Sequence, residues 1–243
     1  MIPLMDTIPI LGFPSVVWAL IAVNGIVFLF ELSIPKDLLT SVMYLFGLIP
    51  ERYSDPQWAL VHGLSPDDYL SFFTNMFLHA GWLHIVGNMW FLYVFGSRVE
   101  DQMGHLRFLI FYLLAGIAAS VMFFLMDIHG TIPAFGASGA IAGVMGAFIV
   151  MFPKARILTL IPIFIFPFFV ELSAFFFIGY WFIIQLFSGT LSFVSSQTSG
   201  GVAWWAHVGG FVVGIALVFL FRRKDRAYRR HYPDEAYHFI NHS

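Results

Sequence analysis

The chain has 243 residues, of which 59% are hydrophobic, 19% aromatic and only 11% charged, with a formal net charge of −2 and a mean hydropathy of +0.83. This composition excludes an ordinary water-soluble domain, and the nearly balanced charge gives no reason to expect a nucleic-acid partner. The absence of cysteine excludes a disulfide framework, a thiolate metal site and a cysteine nucleophile.

Six apolar stretches are candidates for crossing a bilayer, whose hydrocarbon core is about 30 Å thick. The runs are long and lack the alternation of a strand, so we expect helices. Because the apolar run 157–188 is too long for one crossing, we start the fifth span after Pro162 and Pro167. In chain order the predicted spans are 14–33, 74–96, 106–126, 138–152, 169–188 and 205–221.

These spans predict an all-α membrane protein in three parts. A short N-terminal segment covers 1–13, a six-helix membrane domain covers 14–221, and a basic tail covers 222–243. Ten of the twelve Lys and Arg residues fall on one side of this topology, which by the positive-inside rule makes both termini and the tail cytoplasmic. Without an Arg-rich transit segment, we expect a multi-pass protein of a prokaryotic plasma membrane.

The second span carries three polar side chains. His84 and Asn88 are four residues apart and share one helix face, where both can donate hydrogen bonds. His79 lies five residues before His84, so we expect it to face a different neighbour and to be structural. That spacing also disfavours a metal site, and we predict neither metal nor cofactor. In the polar turn that follows, we expect Arg98 to pair with Glu100 or Asp101.

The fourth span opens with Gly136-Ala137-Ser138-Gly139, a small-residue cluster that carries one hydroxyl. Unpaired N–H groups at a helix start would stabilise an oxyanion beside Ser138, and the flanking glycines allow other backbones to approach. The alternative is that Ser138 caps the helix and Gly139 serves packing, which this motif alone favours. The shortness of the span predicts that Ser138 lies below the outer surface, in a pocket open to water.

His207 opens the sixth span and changes the balance between these alternatives. Ala206, Gly210 and Gly214 form a small-residue stripe that matches Gly139 and Gly143 of the fourth span. Close packing of the two helices would bring the imidazole to Ser138, where it would be the general base of a serine nucleophile. The alternative is a histidine hydrogen-bonded in a membrane core, but ionisable groups in membranes usually mark functional sites.

Together these residues resemble the rhomboid intramembrane serine proteases. The motifs that carry the resemblance are His79-x4-His84-x3-Asn88, Gly136-Ala137-Ser138-Gly139 and Ala206-His207-x2-Gly210-x3-Gly214. The resemblance implies a six-helix core, a Ser138–His207 dyad and an oxyanion site made by His84, Asn88 and the Ser138 amide. Gly136, Gly139, Gly210, Gly214 and His79 would support this site.

The resemblance also leaves open what holds the catalytic imidazole. In some rhomboids an aromatic residue four positions after the serine stacks on the histidine, and here that position is Ala142. We expect an aromatic side chain from elsewhere, such as Trp204 or Trp205, to take its place. We further expect the first loop, 34–73, to lie in the membrane interface, the segment 189–201 to act as a lid and the fifth span to be a lateral gate.

The function predicted from the sequence is hydrolysis of peptide bonds in or near transmembrane segments of other membrane proteins. The expected partners are these transmembrane substrates and the lipid bilayer, and the oligomeric state is left open. One alternative is a catalytically silent rhomboid-like protein that binds membrane clients, which would be expected to lack the serine or the histidine. A small transporter is the other alternative, but the two halves of the chain show no internal repeat.

Overall fold

Helices dominate the computed structural model, which describes residues 1–163, 166–194 and 203–223. The helices are α1 (Ser15–Ser33), α2 (Lys36–Phe46), α3 (Glu51–Ser54), α4 (Pro56–Val61), α5 (Ser71–Thr74), α6 (Trp82–Phe91), α7 (Ser97–Met103), α8 (His105–Met126), α9 (Ser138–Met151), α10 (Ala174–Val194) and α11 (Trp204–Phe221). A 3₁₀ turn, Asn75–Phe77, follows α5, and a π-helical stretch, Leu92–Gly96, joins α6 to α7. The strands are β1 (Ile2–Asp6), β2 (Arg156–Ile163) and β3 (Phe166–Ser173).

Four helices of the described part of the chain are long and apolar enough to cross a membrane: α1, α8, α10 and α11. They correspond to the first, third, fifth and sixth predicted spans. Helix α9 is apolar but has only 14 residues, and α6 has 10. The chain is therefore a mostly helical, multi-pass membrane protein.

The second span does not begin where it was predicted. Thr74 ends α5, residues 75–81 form a 3₁₀ turn and non-helical backbone, and the helix starts at Trp82 after Gly81. The side chain of Asn75, in the 3₁₀ turn, is buried and donates hydrogen bonds to the Ser71 carbonyl and the Ser120 hydroxyl. At its other end the helical backbone runs past residue 96 to Met103, where Gly104 ends it with a φ of 83°.

A three-stranded antiparallel sheet, in the order β1-β2-β3, makes the all-α prediction wrong for this part of the chain. Strands β2 and β3 form a hairpin in which Arg156 is paired with Ser173 and Ile163 with Phe166. The predicted fifth span therefore starts late, at Ala174 instead of 169. The reason is that Pro162 and Pro167 disfavour a helix, whereas a hairpin rich in β-branched and aromatic residues satisfies its own backbone.

The polar segment predicted as a turn after the second span forms helix α7, and its charged side chains contact the N-terminal part of the chain, not one another as predicted. The Arg98 guanidinium lies 3.0 Å from the Asp6 carboxylate, and Asp6 is buried. The Glu100 carboxylate instead accepts hydrogen bonds of 2.9 and 2.8 Å from the backbone N–H groups of Val16 and Val17. Because α1 has no side-chain cap of its own, Glu100 satisfies two of its free N–H groups.

Helix α9 lies at the centre of the packed helices and touches α11 along a seam of glycines. A Cβ atom on Gly210 would collide with the Gly139 carbonyl oxygen, and one on Gly214 would collide with the Gly143 backbone. The two backbones are therefore in direct contact, as small-residue stripes allow in membranes. This contact aligns the first turns of the two helices and places Ser138 opposite His207.

Candidate active site

Ser138 and His207 meet at the N-terminal ends of α9 and α11. The Nε2 atom of His207 lies 2.7 Å from the Oγ atom of Ser138, within hydrogen-bond distance. Ser138 is the first residue of its helix, and His207 lies in the first turn of α11. A hydroxyl, an imidazole and a helix start are thus combined at one point, an arrangement that suits attack on a carbonyl carbon.

The other ring nitrogen of His207 contacts a residue that the sequence analysis did not single out. The Nδ1 atom lies 2.7 Å from the Oε1 atom of Gln185, which is buried on α10. The sequence did contain one indication that Gln185 has a partner in the site, because a side-chain amide inside an apolar span is costly unless it is hydrogen-bonded. The predicted span boundaries did not say which helix face Gln185 occupies.

Aromatic side chains also surround His207. The Trp204 ring meets the imidazole edge-on, with centroids 6.3 Å apart, and the Trp181 ring on α10 lies at 5.8 Å. The sequence analysis named Trp204 or Trp205 as the support and missed Trp181. The Trp205 indole donates a hydrogen bond to the Gly189 carbonyl, which connects α11 to α10.

His84 and Asn88, the residues predicted to bind an oxyanion, both face the space beside Gly136. The Nδ1 atom of His84 accepts a hydrogen bond of 3.3 Å from the Ala80 N–H, so the proton of the neutral ring is on Nε2. That Nε2 atom points at Gly136: a Cβ there would lie 2.7 Å from it and 3.6 Å from the Asn88 amide nitrogen. Gly136 has a φ of 127° and leaves this space open.

The side-chain nitrogen of Asn88 is buried and has no hydrogen-bond partner among the described residues. A buried donor without a partner is rare in folded proteins and calls for an explanation. This amide and the Nε2–H of His84 are two donors that face the same space beside Gly136. Two such donors are able to hydrogen-bond one ligand oxygen.

His79 lies close to His84, contrary to the expectation that it faces a different neighbour. The two rings meet edge-on with centroids 5.1 Å apart. The helical spacing used for that expectation does not apply, because the helix starts at Trp82. The backbone N–H of His79 donates to the Glu31 carboxylate on α1 at 3.3 Å, so this residue joins α1 to the turn that leads to His84.

The cleft beside Ser138 is lined by Asn75, Ser120, Gly136, Ala203 and Ala206. Its polar groups are few, and within the described ranges no cluster of His, Asp or Glu with a metal-site arrangement occurs. Most of the predicted lid lies outside the described residues, since 195–202 are not covered, while 189–194 belong to α10. The tail beyond 223 is also outside the described residues.

Comparison with known proteins adds independent information. The family model of the rhomboid domain matches residues 66–224. RHOMBOID-like protein 6, mitochondrial, of Arabidopsis thaliana is 35% identical over 147 residues, which are 60% of this chain and 42% of that protein. Rhomboid-like protein 11, chloroplastic, from the same plant is 36% identical over 75 residues, 31% of this chain and 26% of that protein. Rhomboid protease GluP of Bacillus subtilis (strain 168) is 42% identical over 74 residues, 30% of this chain and 14% of that protein. The chain thus matches less than half the length of each of these relatives.

The relatives correct the predicted location. The predicted location in a prokaryotic plasma membrane is wrong on this comparison, because similar proteins include eukaryotic ones named as mitochondrial and chloroplastic. The assignment of both termini to the cytoplasm falls with it. The prediction failed because the residues that form a membrane bundle are similar in different cellular membranes. Not finding one type of targeting segment also says little about the compartment.

The matched region contains the helices that carry His84, Ser138, Gln185 and His207. It covers more than half of the chain, and the relatives it agrees with are rhomboid proteins. This chain belongs to the rhomboid family.

Proposed function

We propose that the chain is an intramembrane serine endopeptidase that cleaves peptide bonds in or near transmembrane segments of other membrane proteins. The observation that carries the proposal is the 2.7 Å separation of His207 Nε2 and Ser138 Oγ within a membrane-embedded bundle. A histidine and a serine in this relation have the geometry of a nucleophile and its general base. Membership of a family that includes a named rhomboid protease supports the same proposal.

In the proposed reaction, His207 takes the hydroxyl proton of Ser138 while Oγ attacks the substrate carbonyl carbon. Negative charge develops on the carbonyl oxygen, where His84 Nε2–H, the Asn88 amide and the Ser138 N–H would donate hydrogen bonds. His207 then gives its proton to the leaving amine as the peptide bond breaks. Water, with its proton accepted by His207, hydrolyses the acyl-enzyme and restores Ser138.

The proposal includes a topology in which the chain crosses the membrane six times. The helical backbone of residues 82–103 is continuous through the π-helical stretch and, at about 1.5 Å per residue, is long enough for a crossing. Helix α9 is shorter, at about 21 Å for its 14 residues, and would cross only part of the hydrocarbon. Its first residue is Ser138, so a short α9 would place the reacting hydroxyl below the membrane surface.

The test is cleavage of a transmembrane substrate by purified protein in liposomes. The substrate segment carries Gly, Pro and Ser near its centre, since residues that weaken a helix expose the peptide bond. We expect wild type to cleave, and both Ser138→Ala and His207→Ala to lose activity by on the order of 10⁴-fold or more. Mass spectrometry of the products gives the cleaved bond.

Ser33→Ala is the matched control for Ser138→Ala, because Ser33 is exposed and its hydroxyl donates to the Phe30 carbonyl of its own helix. We expect this control to cleave like wild type. If Ser138→Ala cleaves equally well, the serine mechanism is wrong. A folded wild type that cleaves no substrate in a panel of segments would instead favour a rhomboid-like protein that binds membrane clients.

A further inference from the structure

Gln185 is the one polar contact of the His207 ring on the side away from Ser138 within the part of the chain that the structure describes. Only 4% of Gln185 is exposed, so its amide must find partners inside the protein. It occupies a helix face that also carries the buried residues Ala174, Phe177 and Ile178 and turns toward α11. The other faces of α10 carry exposed Phe, Ile and Tyr side chains, as expected for contact with lipid.

The orientation of the Gln185 amide follows from its second contact. Its nitrogen, Nε2, donates a hydrogen bond of 3.3 Å to the Trp181 carbonyl oxygen one turn earlier. A carbonyl can only accept, so the NH₂ group must face Trp181. The amide oxygen is then the atom that faces Nδ1 of His207.

The tautomer of His207 follows in turn. An amide oxygen can only accept, so the Nδ1 atom at 2.7 Å must carry a proton. In a neutral imidazole the other nitrogen, Nε2, is then unprotonated and presents its lone pair. That lone pair points at the Ser138 hydroxyl, 2.7 Å away, which is the arrangement a general base requires.

We propose that Gln185 is the third member of the catalytic group, a positioning residue that holds His207 in the tautomer and orientation needed to accept the Ser138 proton. This role rests on the proposed serine-protease function and makes it more specific. In serine proteases with a Ser-His-Asp triad, an acid holds the Nδ1–H of the histidine. Here a neutral amide takes that place, which suits an apolar site because an ionised carboxylate would be costly to bury there.

The contact also joins a third helix to the site. Ser138 lies on α9, His207 on α11 and Gln185 on α10, so the imidazole is fixed only when all three helices are packed. The Trp181 ring, also on α10, lies beside the imidazole, with the two ring centroids 5.8 Å apart. Gln185 therefore supplies the support that Ala142 cannot provide.

The test compares Gln185→Leu, which removes the acceptor but keeps the volume, with Gln185→Glu, which keeps an acceptor at the same reach. We expect Gln185→Leu to lower kcat roughly 10- to 100-fold with KM nearly unchanged, because an unpaired Nδ1–H destabilises the required tautomer. Gln185→Glu should recover most of that loss, because the apolar site favours the neutral carboxyl group, whose carbonyl oxygen accepts from Nδ1–H and whose O–H can donate to the Trp181 carbonyl. Thr190→Val, on the same helix, is the control, since Thr190 is exposed and its hydroxyl donates to the Leu186 carbonyl of its own helix.

A second readout separates positioning from a general structural role. In protein labelled with ¹⁵N-histidine, the His207 signals are identified by their loss in His207→Ala. We expect a protonated Nδ1 and a bare Nε2 in wild type, and a mixture of tautomers in Gln185→Leu. If Gln185→Leu leaves the tautomer unchanged, or alters only KM or the unfolding midpoint, the proposed role of Gln185 is wrong.

The outcomes also separate this role from the proposed function. If Ser138→Ala abolishes cleavage while Gln185→Leu retains both kcat and the wild-type tautomer, the protease stands and the role of Gln185 falls. If Ser138→Ala and His207→Ala both still cleave, the two proposals fall together.

Discussion

Asn88 shows how single residues connect the fold to the proposed chemistry. It is buried, its side-chain nitrogen lacks a partner among the described residues, and it lies beside the space that Gly136 leaves open. A protein that only needed stability would gain nothing from such a donor, because burying it without a partner costs free energy. The orientation of the amide is explained if it donates to an oxyanion during the reaction.

Replacing Asn88 by Ala should therefore slow catalysis without unfolding the protein. We expect kcat to fall by about 10²- to 10³-fold, the usual effect of losing one oxyanion donor. Asn24→Ala is the control: Asn24 is also buried and its side-chain oxygen also lacks a partner among the described residues, but its nitrogen bonds to its own helix at the Leu20 carbonyl, 2.7 Å away, and it lies on α1, outside the cleft beside Ser138. Steady-state kinetics in liposomes would give both values. An equal loss in both variants would contradict the special role of Asn88.

At the scale of elements, the seam between α9 and α11 determines whether Ser138 and His207 meet. These helices carry Ser138 and His207 in their first turns, and the glycines below set the distance between their axes. No large apolar side chain separates the two backbones at Gly210 and Gly214. A methyl group at either position would push the helices apart and with them the serine and the histidine.

Gly214→Ala tests this seam. The added methyl group would collide with the Gly143 backbone, which cannot rotate away as a side chain does. We expect an unfolding free energy lower by about 1 to 3 kcal/mol, the cost of overpacking, together with reduced cleavage. Gly25→Ala on α1 is the control, because nothing lies within 4 Å of its added Cβ. Unfolding midpoints in mixed micelles would detect the difference, and equal midpoints would argue against a tight seam.

At the scale of the whole molecule, the N-terminal segment holds the end of the bundle opposite the site. Strand β1 is paired with β2, which follows α9, so the first residues are connected to the far end of the helix that begins at Ser138. The Asp6–Arg98 ion pair and the Glu100 contacts to α1 add bonds between segments more than eighty residues apart. We therefore expect changes at this end of the bundle to affect the free energy of unfolding more than the rate of catalysis.

Asp6→Ala should destabilise the fold while leaving catalysis by the folded protein intact. The side chain of Asp6 is fully buried and that of Arg98 is 14% exposed, so removing the carboxylate leaves a poorly solvated guanidinium. We expect a loss of about 2 to 4 kcal/mol in unfolding free energy. The double variant Asp6→Ala, Arg98→Met should recover part of it, since the unpaired charge is then gone. Thermal unfolding measures the loss of stability, and kcat per folded molecule measures catalysis. A lower kcat in the folded fraction of Asp6→Ala would contradict the expectation that this end of the bundle affects stability alone.

Several features of this protein follow from composition and local spacing in the sequence alone. The membrane class follows from 59% hydrophobic residues, and the start of α9 at Ser138 follows from a small-residue motif that opens an apolar run. His84 and Asn88 were placed together because four residues make one helical turn. The glycine stripes predicted contact between α9 and α11 because membrane helices approach closely only where side chains are small.

Only the tertiary structure decided the rest, because it depends on contacts between residues far apart in sequence. Gln185 precedes His207 by 22 residues on another helix, and no local pattern says that its amide oxygen reaches the imidazole. The β2–β3 hairpin was mispredicted although its strands are neighbours in sequence, because its apolar run also suits a helix and β2 gains a further partner in the distant strand β1. The partner of Arg98 was mispredicted because Asp6 lies 92 residues away. Local spacing identifies the candidate residues, whereas long-range packing determines which of them contact one another.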